Sequence, residues 1–221
     1  MADYPITLQL ANQLCVVVGA GAVGRRKLAG LRQAGARIRL IAPDAPESLA
    51  APDLELRRRP YHPDDLAGAA LVFAATNDRA LNAAIAREAR AGGLLVNVAD
   101  APEEGNFTLP ALARQGGLTL AVSSGGASPA LAALVRDQLD RELGPEWATV
   151  LEIAAALRQK RLTPQQGSEY NQGVLRRLLE QGLPALIAAD ATAAIDRLLQ
   201  EFCGPDCSLS TLGVHLPKGL P

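Results

Sequence analysis

Three glycines, Gly19, Gly21 and Gly24, stand in the order G-x-G-x-x-G directly after the apolar run LCVVV. In this arrangement the first glycine permits a tight turn, the second lets the backbone approach a pyrophosphate, and the third lets a helix pack closely on a strand. The N–H groups at the start of that helix, which include those of Ala22 and Val23, are free to bind phosphate oxygens. The spacing predicts a dinucleotide-binding loop, and the alternative is that the glycines only turn the chain.

An acidic residue about 20 positions after the glycines is typical of dinucleotide-binding folds, where it bonds the ribose hydroxyls. Asp44, in the stretch IAPDA, is close enough for that role, although it equally suits a turn after Pro43. Arg25 and Arg26 offer the opposite chemistry, because an arginine can bind the 2′-phosphate of NADP. A solvated helix face is the simpler interpretation of the two arginines, so the sequence favours NAD slightly.

Asp100 is the candidate base. It closes the stretch LLVNVAD, and a carboxylate at the end of a buried strand can be desolvated and accept a proton. The alternative is a turn role before Pro102. Thr76 and Asn77, in the stretch ATND, can line the nicotinamide-ribose pocket, and the alternative is that Thr76, Asn77 or Asp78 only caps the helix that follows.

The stretch SSGG, from Ser123 and Ser124 to Gly125 and Gly126, lies between a predicted strand and a predicted helix start. Its N–H and hydroxyl groups can receive the carboxylates of a substrate. A simple connecting turn is the alternative.

Resident metal chemistry is not expected from the sequence. His62 and His215 are the two histidines, and both lie in loop-like contexts with no second ligand nearby. Cys203 and Cys207 are four positions apart, but glycine and proline intervene, which argues against metal or redox work there.

Short aliphatic runs alternate with helical patterns over the first hundred residues, and these elements must position the candidate residues. Such runs are typical of strands buried on both faces of a parallel sheet, and their alternation with helices implies right-handed crossovers. The predicted fold class is α/β, a Rossmann-type doubly wound parallel sheet. The predicted strands are 14–18, 38–42, 54–60, 70–77 and 94–100, and the predicted helices are 23–35 and about 79–91.

The sequence changes character after residue 105. Two strand-like runs around a Gly-Gly turn, within 106–123, predict an extension of the sheet or a dimer-forming arm. Ser128 and Pro129 suit the N-cap and first position of a helix, and helical patterns continue to about Phe202. The remaining tail is rich in turn residues and is expected to be irregular. We predict a Rossmann domain at 1–113, a dimerisation segment at 114–147 and a small helical domain with its tail at 148–221.

Composition excludes several classes of protein. The chain has 221 residues, 48% of them hydrophobic, which is ample for a packed core. Its 22 Lys and Arg against 23 Asp and Glu give a net charge of −1, so no basic field indicates nucleic acid as a partner. We find no secretory signal, no apolar stretch of membrane-spanning length and too few cysteines for a disulfide framework. We expect a cytoplasmic protein that binds neither nucleic acid nor membranes.

Five stretches occur together in a distinctive order and spacing: YPITLQL, VVVGAGAVGRRK, AATND, NVADAPEEGNFTLPA and LTLAVSSGGASPALA. In these stretches the chain resembles precorrin-2 dehydrogenases, which are often also sirohydrochlorin ferrochelatases and form the module that makes siroheme. The resemblance extends to about residue 143. It is far more specific than the glycine pattern alone.

The resemblance implies an NAD-dependent oxidation of the tetrapyrrole precorrin-2 to sirohydrochlorin by a homodimer. The family's catalytic aspartate falls on Asp100, its cofactor glycines fall on Gly19, Gly21 and Gly24, and its Ser-Ser-Gly-Gly segment, near the tetrapyrrole, falls on 123–126. Ferrous iron is a second substrate in those members that also insert the metal. The region after about residue 150 matches the family in character more than in motif, so it leaves iron insertion open.

Two other classes stay open. A nucleotide-sensing Rossmann module that regulates a partner and catalyses nothing would need the glycines, but neither Asp100 nor the Ser-Ser-Gly-Gly turn. An oxidoreductase for a hydroxy acid or an alcohol would need a catalytic His or Lys constellation, and the sequence offers none.

Overall fold

The computed structural model describes residues 3–160 and 168–217, with the side chains of residues 160 and 168–171 left out. Contacts divide the chain into two compact units, Met1–Leu109 and Pro110–Pro221. The finer division into three parts stays a prediction. The predicted helical pattern across 161–167 and the end of the tail, 218–221, lie outside the described residues.

The first unit is built on a five-stranded parallel sheet. The strand order is β3-β2-β1-β4-β5, with one helix after β1 and another after β4. This is the order of a Rossmann-type doubly wound sheet, so the predicted fold class is confirmed. The strands are β1 (Leu14–Val18), β2 (Arg37–Ile41), β3 (Leu54–Arg57), β4 (Leu71–Ala74) and β5 (Leu95–Val98), and the helices are α1 (Ala22–Gln33) and α2 (Arg79–Ala91).

Side chains that alternate along each strand divide the interior of the first unit into two layers. On β1, Val16 and Val18 pack in the layer that contains Ile85 of α2. Cys15 and Val17 point the other way, into the layer that contains Leu28 of α1. Both faces of the sheet are therefore covered, which explains why the strands read as continuous apolar runs.

The second unit begins with a hairpin. Strands β6 (Ala111–Gln115) and β7 (Leu118–Val122) pair antiparallel and form a two-stranded sheet of their own. The expectation that this segment extends the larger sheet is therefore wrong, because its strands pair only with each other. Helix α3 (Pro129–Glu142) packs on the hairpin, and Arg136 donates to the Leu112 carbonyl at 2.9 Å.

Helices α4 (Glu146–Lys160), α5 (Ser168–Glu180), α6 (Leu183–Ala188) and α7 (Thr192–Cys203) follow the hairpin and α3. Their buried side chains form one apolar cluster, with Ile153, Leu183, Ile187, Ile195 and Leu199 at its centre. This cluster agrees with the helical patterns in the sequence.

The tail is more ordered than its turn-rich sequence suggests. A short helix, α8 (Leu209–Leu212), begins at a capping box in which Ser208 and Thr211 bond each other's backbone N–H groups. The Asp196 carboxylate also accepts a hydrogen bond from the Leu209 N–H at 2.7 Å. Leu209 and Val214 are buried in the helical cluster. The expectation of an irregular tail is wrong at Leu209–Leu212, where apolar burial, the capping box and the Asp196 bond hold a short helix, whereas 204–208 and 213–217 contain no helix or strand.

In the parts of the chain that the structure describes, we find no helix with the length and apolar character needed to cross a membrane.

Candidate functional site

The glycine-rich turn joins β1 to α1. Gly19 has a φ of 109°, and a Cβ atom there would overlap the Ala75 carbonyl at the end of β4. A Cβ on Gly24 would overlap the Gly19 carbonyl, so this glycine lets helix and strand approach closely. Gly21 differs from both, because a Cβ there meets nothing within 4 Å. The fold itself needs two of the glycines, and the third leaves open space beside the backbone.

The amino end of α1 presents unbonded donors to that space. Gly21 is the N-cap residue and supplies no side chain, and the first turn of the helix contains no acidic residue. The Arg25 N–H bonds the Gly21 carbonyl at 3.0 Å, so the N–H groups of Ala22, Val23 and Gly24 precede the first bonded donor of the helix. These donors and the helix dipole suit a pyrophosphate, and the open space at Gly21 gives it room. The residues present therefore fit a dinucleotide.

Asp44 lies in an exposed turn two residues after the Ala42 that follows β2. Its position at the carboxyl end of a strand next to β1 is compatible with both the ribose role and the turn role. Arg25 donates through Nε to the Ala20 carbonyl at 3.0 Å and so braces the glycine turn. Arg26 is exposed on α1.

The loop between β4 and α2 contains Thr76, Asn77 and Asp78. Asp78 is the N-cap of α2 and accepts hydrogen bonds from the Ala80 and Leu81 N–H groups at 2.9 and 3.0 Å. The capping role expected for this stretch therefore belongs to Asp78. Asn77 is exposed and Thr76 is half-buried, at the same edge of the sheet as the glycine turn.

A buried amide that sequence reasoning missed holds this loop. Asn82 of α2 is 0% exposed. Its Oδ1 accepts from the Thr76 N–H at 3.1 Å and from the Thr76 Oγ1 at 2.7 Å, and its Nδ2 donates to the Thr76 carbonyl at 3.1 Å. The same Nδ2 donates to Asp100 Oδ1 at 3.0 Å. One side chain thus joins the loop after β4 to the candidate base.

Asp100 lies two residues after the end of β5. Its side chain is 40% exposed, so the expected desolvation is wrong, because the two residues after β5 lift the carboxylate out of the packed layers. Asp100 Oδ1 receives the Asn82 amide, and Asp100 Oδ2 lies 3.7 Å from Arg79 Nε. The carboxylate is therefore accessible from solvent and held from one side.

Arg79 is the second residue that sequence reasoning missed. Its guanidinium donates two hydrogen bonds to the Glu104 carboxylate, at 2.7 and 2.5 Å. The hydrogen bond from Arg79, and then its charge, lower the pKa of Glu104, and the hydrogen bond to Glu104 raises the pKa of Arg79. Arg79 is therefore hydrogen-bonded to Glu104, whereas it lies near Asp100 without a hydrogen bond to it.

A signal for Asn82 existed in the sequence. Asn82, Ile85, Ala86 and Ala89 occupy one face of α2, and all four are buried. An amide within an apolar stripe must find partners, since a buried polar group without hydrogen bonds is costly. Arg79 gave no such signal, because its contacts depend on how residues 100–104 fold back.

The Ser-Ser-Gly-Gly turn belongs to the second unit, between β7 and α3. Ser123 Oγ accepts from the Gly125 N–H at 3.2 Å, and Ser124 Oγ accepts from the Ser128 N–H at 3.0 Å. Gly125 and Gly126 have φ values of 60° and 82°, which favour glycine. Ser128 caps α3 through a hydrogen bond from the Leu131 N–H at 3.2 Å, which confirms the predicted helix start.

Within residues 3–160 and 168–217, no group of three His, Cys, Asp or Glu side chains lies close enough together to hold a metal ion. In the part of the chain that the structure describes, Cys15, Cys203 and Cys207 form no disulfide. Burial raises the pKa of Cys15 to about 11, so its thiol is inert within β1.

Comparisons with known proteins agree with this geometry. Residues 6–111 match the family model described as putative NAD(P)-binding, and residues 115–142 match the one described as sirohaem biosynthesis protein central. A siroheme synthase of Methylococcus capsulatus is 40% identical over 163 residues, covering 72% of this chain and 34% of the relative. A siroheme synthase of Pseudomonas paraeruginosa is 35% identical over 223 residues, covering 98% of this chain and 48% of the relative. The chain thus spans about a third to a half of these relatives.

One solved structure, described as SirC, precorrin-2 dehydrogenase, superposes with a TM-score of 0.71 at 23% identity, covering 90% of this chain and 98% of that one. At this identity the likeness supports the fold. A parallel sheet in the order 3-2-1-4-5, with a glycine turn that fits a dinucleotide, defines a Rossmann-type protein that binds a nicotinamide dinucleotide. The chain corresponds to the amino-terminal module of siroheme synthases.

Proposed function

We propose that this protein oxidises precorrin-2 to sirohydrochlorin with NAD, a step in siroheme biosynthesis. The observation that carries the proposal is Asp100, an accessible carboxylate at the carboxyl edge of the sheet that also bears the glycine turn. Asp100 is joined through Asn82 to the loop after β4, next to the turn. The dinucleotide-binding edge therefore includes a group that can accept a proton.

The chain's residues divide the work of such an oxidation. The N–H groups of Ala22, Val23 and Gly24 bind the pyrophosphate, and Gly21 leaves room for it. Thr76 and Asn77 line the site of the nicotinamide ribose. Bound NAD supplies a hydride acceptor. Asp100 takes the proton that leaves the substrate, and a positioned base of this kind contributes about 10² to 10⁴ in rate.

The cofactor in this proposal is NAD rather than NADP. Asp44 lies at the carboxyl end of β2, where a carboxylate can accept hydrogen bonds from ribose hydroxyls and repels a 2′-phosphate. Arg25 braces the Ala20 carbonyl. Calorimetric titration with both dinucleotides tests the preference, and tighter binding of NADP would reverse the assignment.

Precorrin-2 carries many carboxylates, and the Ser-Ser-Gly-Gly turn is suited to some of them. The hydroxyls of Ser123 and Ser124, the Gly126 N–H and the amino end of α3 offer hydrogen-bond donors or a favourable dipole, and Gly125, whose N–H bonds Ser123 Oγ, shapes the turn. In the proposal these residues bind the substrate.

A homodimer is the second part of the proposal. Leu131, Leu134 and Val135 occupy one side of α3 and are all exposed, Leu134 by 66%. A contiguous apolar face of this kind favours a covered interface, and it lies within the predicted dimerisation segment, 114–147. Sedimentation at micromolar concentration is expected to give a dimer, and a fully active monomer would exclude it.

Ferrous iron insertion is a further activity within the proposal, with iron as a substrate. The macrocycle supplies the nitrogen ligands, and Asp100 accepts the pyrrole protons that leave as the metal enters. We place the protein in the cytoplasm, because cysteines without a disulfide, as found among the described residues, suit reducing conditions. Incubating sirohydrochlorin with ferrous iron and the protein tests the insertion.

One assay decides the main proposal. Precorrin-2 and NAD are mixed anaerobically with the protein, and absorbance follows both sirohydrochlorin and NADH. Equal amounts of the two products support the oxidation. Tight NAD binding without turnover would support the sensing module instead.

A further inference from the structure

We propose that Asn82 is a positioning residue, whose amide holds the Asp100 carboxylate in one orientation and leaves one carboxylate oxygen available for the proton. The proposal rests on the proposed oxidation and deepens it. It concerns a residue whose hydrogen bonds go to Thr76 and Asp100.

The hydrogen bonds of Asn82 are complete. Its Oδ1 accepts twice from Thr76, and its Nδ2 donates once to Thr76 and once to Asp100. An asparagine amide offers two donor hydrogens and one acceptor oxygen, so no group is left over. Because the side chain is fully buried, water does not compete for these bonds.

The orientation of the amide is fixed by the backbone of Thr76. The Thr76 N–H only donates and the Thr76 carbonyl only accepts, so Asn82 Oδ1 must face the first and Nδ2 the second. Rotating the amide by half a turn would place Asn82 Oδ1 against the Asp100 carboxylate and leave both Thr76 groups mismatched. The backbone of the β4–α2 loop thus forces an N–H toward Asp100.

The two oxygens of Asp100 are consequently different. Oδ1 receives the Asn82 N–H at 3.0 Å, while Oδ2 lies 3.7 Å from Arg79 Nε, beyond hydrogen-bond distance. Arg79 is hydrogen-bonded to Glu104 and interacts with Asp100, and then with Glu103, through charge alone. Among the described residues, the hydrogen bond to Asp100 comes from Asn82, and Oδ2 stays available to accept a proton.

If Asn82 had a purely structural role, its hydrogen bonds would hold the β4–α2 loop closed and would not affect the reactivity of Asp100. The two roles differ in their dependence on pH when the amide is replaced by a carboxyl group. In Asn82→Asp, a charged carboxylate faces Asp100 and repels it, whereas a protonated one again donates a hydrogen bond. Two carboxyl groups at such a distance share one proton.

The test compares Asn82→Asp with the wild-type protein in the anaerobic oxidation of precorrin-2. At pH 8 we expect kcat to fall by about 10- to 100-fold, the size of a lost hydrogen bond to a charged group. The ratio of variant to wild-type kcat should rise as the pH falls, because the shared proton restores the donor. Asn82→Ala should lose rate at every pH, with no recovery. A ratio that is near one at pH 8, or does not change with pH, would overturn the proposal.

Asn106→Asp is the matched control. The Asn106 Oδ1 accepts from the Val96 N–H at 2.7 Å, and its Nδ2 donates to the Leu94 carbonyl at 2.9 Å. The substitution removes an amide that also bridges backbone groups, but at the beginning of β5 and without touching Asp100. Its kcat ratio should be independent of pH. A recovery at low pH equal to that of Asn82→Asp would show a general effect of added charge and overturn the assignment.

A second measurement does not depend on turnover. In the NMR spectrum of the wild-type protein, both Asn82 side-chain N–H signals should exchange slowly, because both hydrogens are bonded. Asp100→Ala should speed the exchange of one of them and leave the Thr76 backbone N–H protected. If the wild-type protein fails to oxidise precorrin-2 but shows this pattern, the proposed function is wrong while the contact is confirmed. If Asp100→Ala leaves both Asn82 signals unchanged, the positioning role is wrong.

Discussion

The two compact units differ in what they bury. Among the described residues, the first unit buries the polar side chains of Asp65, Asn82 and Asn97, whereas the second buries one, Thr149. Each of the three polar groups in the first unit bonds a loop or an arginine beside the sheet, as when Asn97 Nδ2 donates to the Phe107 carbonyl at 3.1 Å. The helical cluster of the second unit consists of aliphatic and aromatic side chains and two cysteines.

The difference indicates that the polar groups of one interior fix the direction of loops, whereas the apolar contacts of the other stabilise helices. Polar groups in a low-dielectric interior are costly unless bonded, but once bonded they fix the direction of the segments they hold. Apolar contacts stabilise helices without specifying such directions. The first unit thus uses bonded polar groups within its two apolar layers to fix its loops, whereas the helical cluster of the second unit depends on apolar packing. Substitutions in each unit can test this contrast.

The largest effect is expected at Asp100. Asp100→Ala should reduce the oxidation of precorrin-2 by about 10² to 10⁴, because the proton loses its acceptor. NAD affinity, measured by calorimetry, should stay at the wild-type value, since the glycine turn is unchanged. Asp64→Ala removes a carboxylate that is 90% exposed in the same unit and serves as the control. Wild-type turnover by Asp100→Ala would exclude its role as the base.

A substitution in the helical cluster should lower the free energy of unfolding and leave NAD affinity unchanged. Ile187 is 1% exposed, and Ile187→Ala should lower the free energy of unfolding by about 3 kcal/mol through lost burial and the cavity left behind. NAD affinity should not change, because the substitution lies in the second unit. Leu179→Ala, at a leucine that is 37% exposed, should cost much less. Thermal unfolding and calorimetry measure the two properties, and a loss of NAD affinity in folded Ile187→Ala would contradict the contrast.

The pH dependence of stability tests the contribution of the buried Asp65 carboxylate. Burial alone would raise the pKa of Asp65, but hydrogen bonds from Arg59, the His62 N–H and Arg57 outweigh it and lower the pKa to about 2. A carboxyl group with a lowered pKa in the folded state stabilises the fold above its unfolded pKa. Its contribution, about 2 kcal/mol, should be complete above about pH 4 and lost as the pH falls toward 2.

Asp65→Asn should therefore be less stable than the wild type at pH 7, and the gap should narrow below pH 4. Chemical unfolding at a series of pH values measures this. Asp53→Asn is the control, because the Asp53 carboxylate pairs with Arg32 at 3.0 Å at the surface and should contribute less than about 1 kcal/mol. If the two variants lost the same free energy of unfolding, burial of Asp65 would not increase the contribution of its ion pairs to stability.

The smallest effect on the stability of the fold is expected at Gly21. Gly21→Val should weaken NAD binding by more than about tenfold, or 1.4 kcal/mol, because the new side chain fills the space meant for the pyrophosphate. The melting temperature should barely change, since a Cβ there meets no atom of the protein. Gly30→Val is the matched control, because Gly30 lies on the same helix and also faces open space. Equal NAD affinities in the two variants would mean that the turn does not bind the cofactor.

The sequence predicted the sheet well and the site only in part. Strand positions and the start of α3 follow from local patterns, namely apolar runs, glycine spacing and the Ser128–Pro129 pair. The contact of Asn82 with Asp100 and that of Arg79 with Glu104 join residues 18 and 25 positions apart, and no local pattern encodes these two contacts. The roles assigned to Gly21, Asp100 and the other site residues stay predictions.

The helical cluster includes Leu209, which also bonds Asp196, so the second unit can complete its fold only late in synthesis. The first unit is complete once residue 109 has been added, and domains that emerge first generally fold first. The helical cluster needs Leu209 and Val214, which are made about 60 residues after α4 begins. Until then Ile153 and its neighbours on the nascent chain lack the contacts of Leu209 and Val214 and stay partly exposed. A chaperone would therefore find the most apolar surface to bind at this stage of translation.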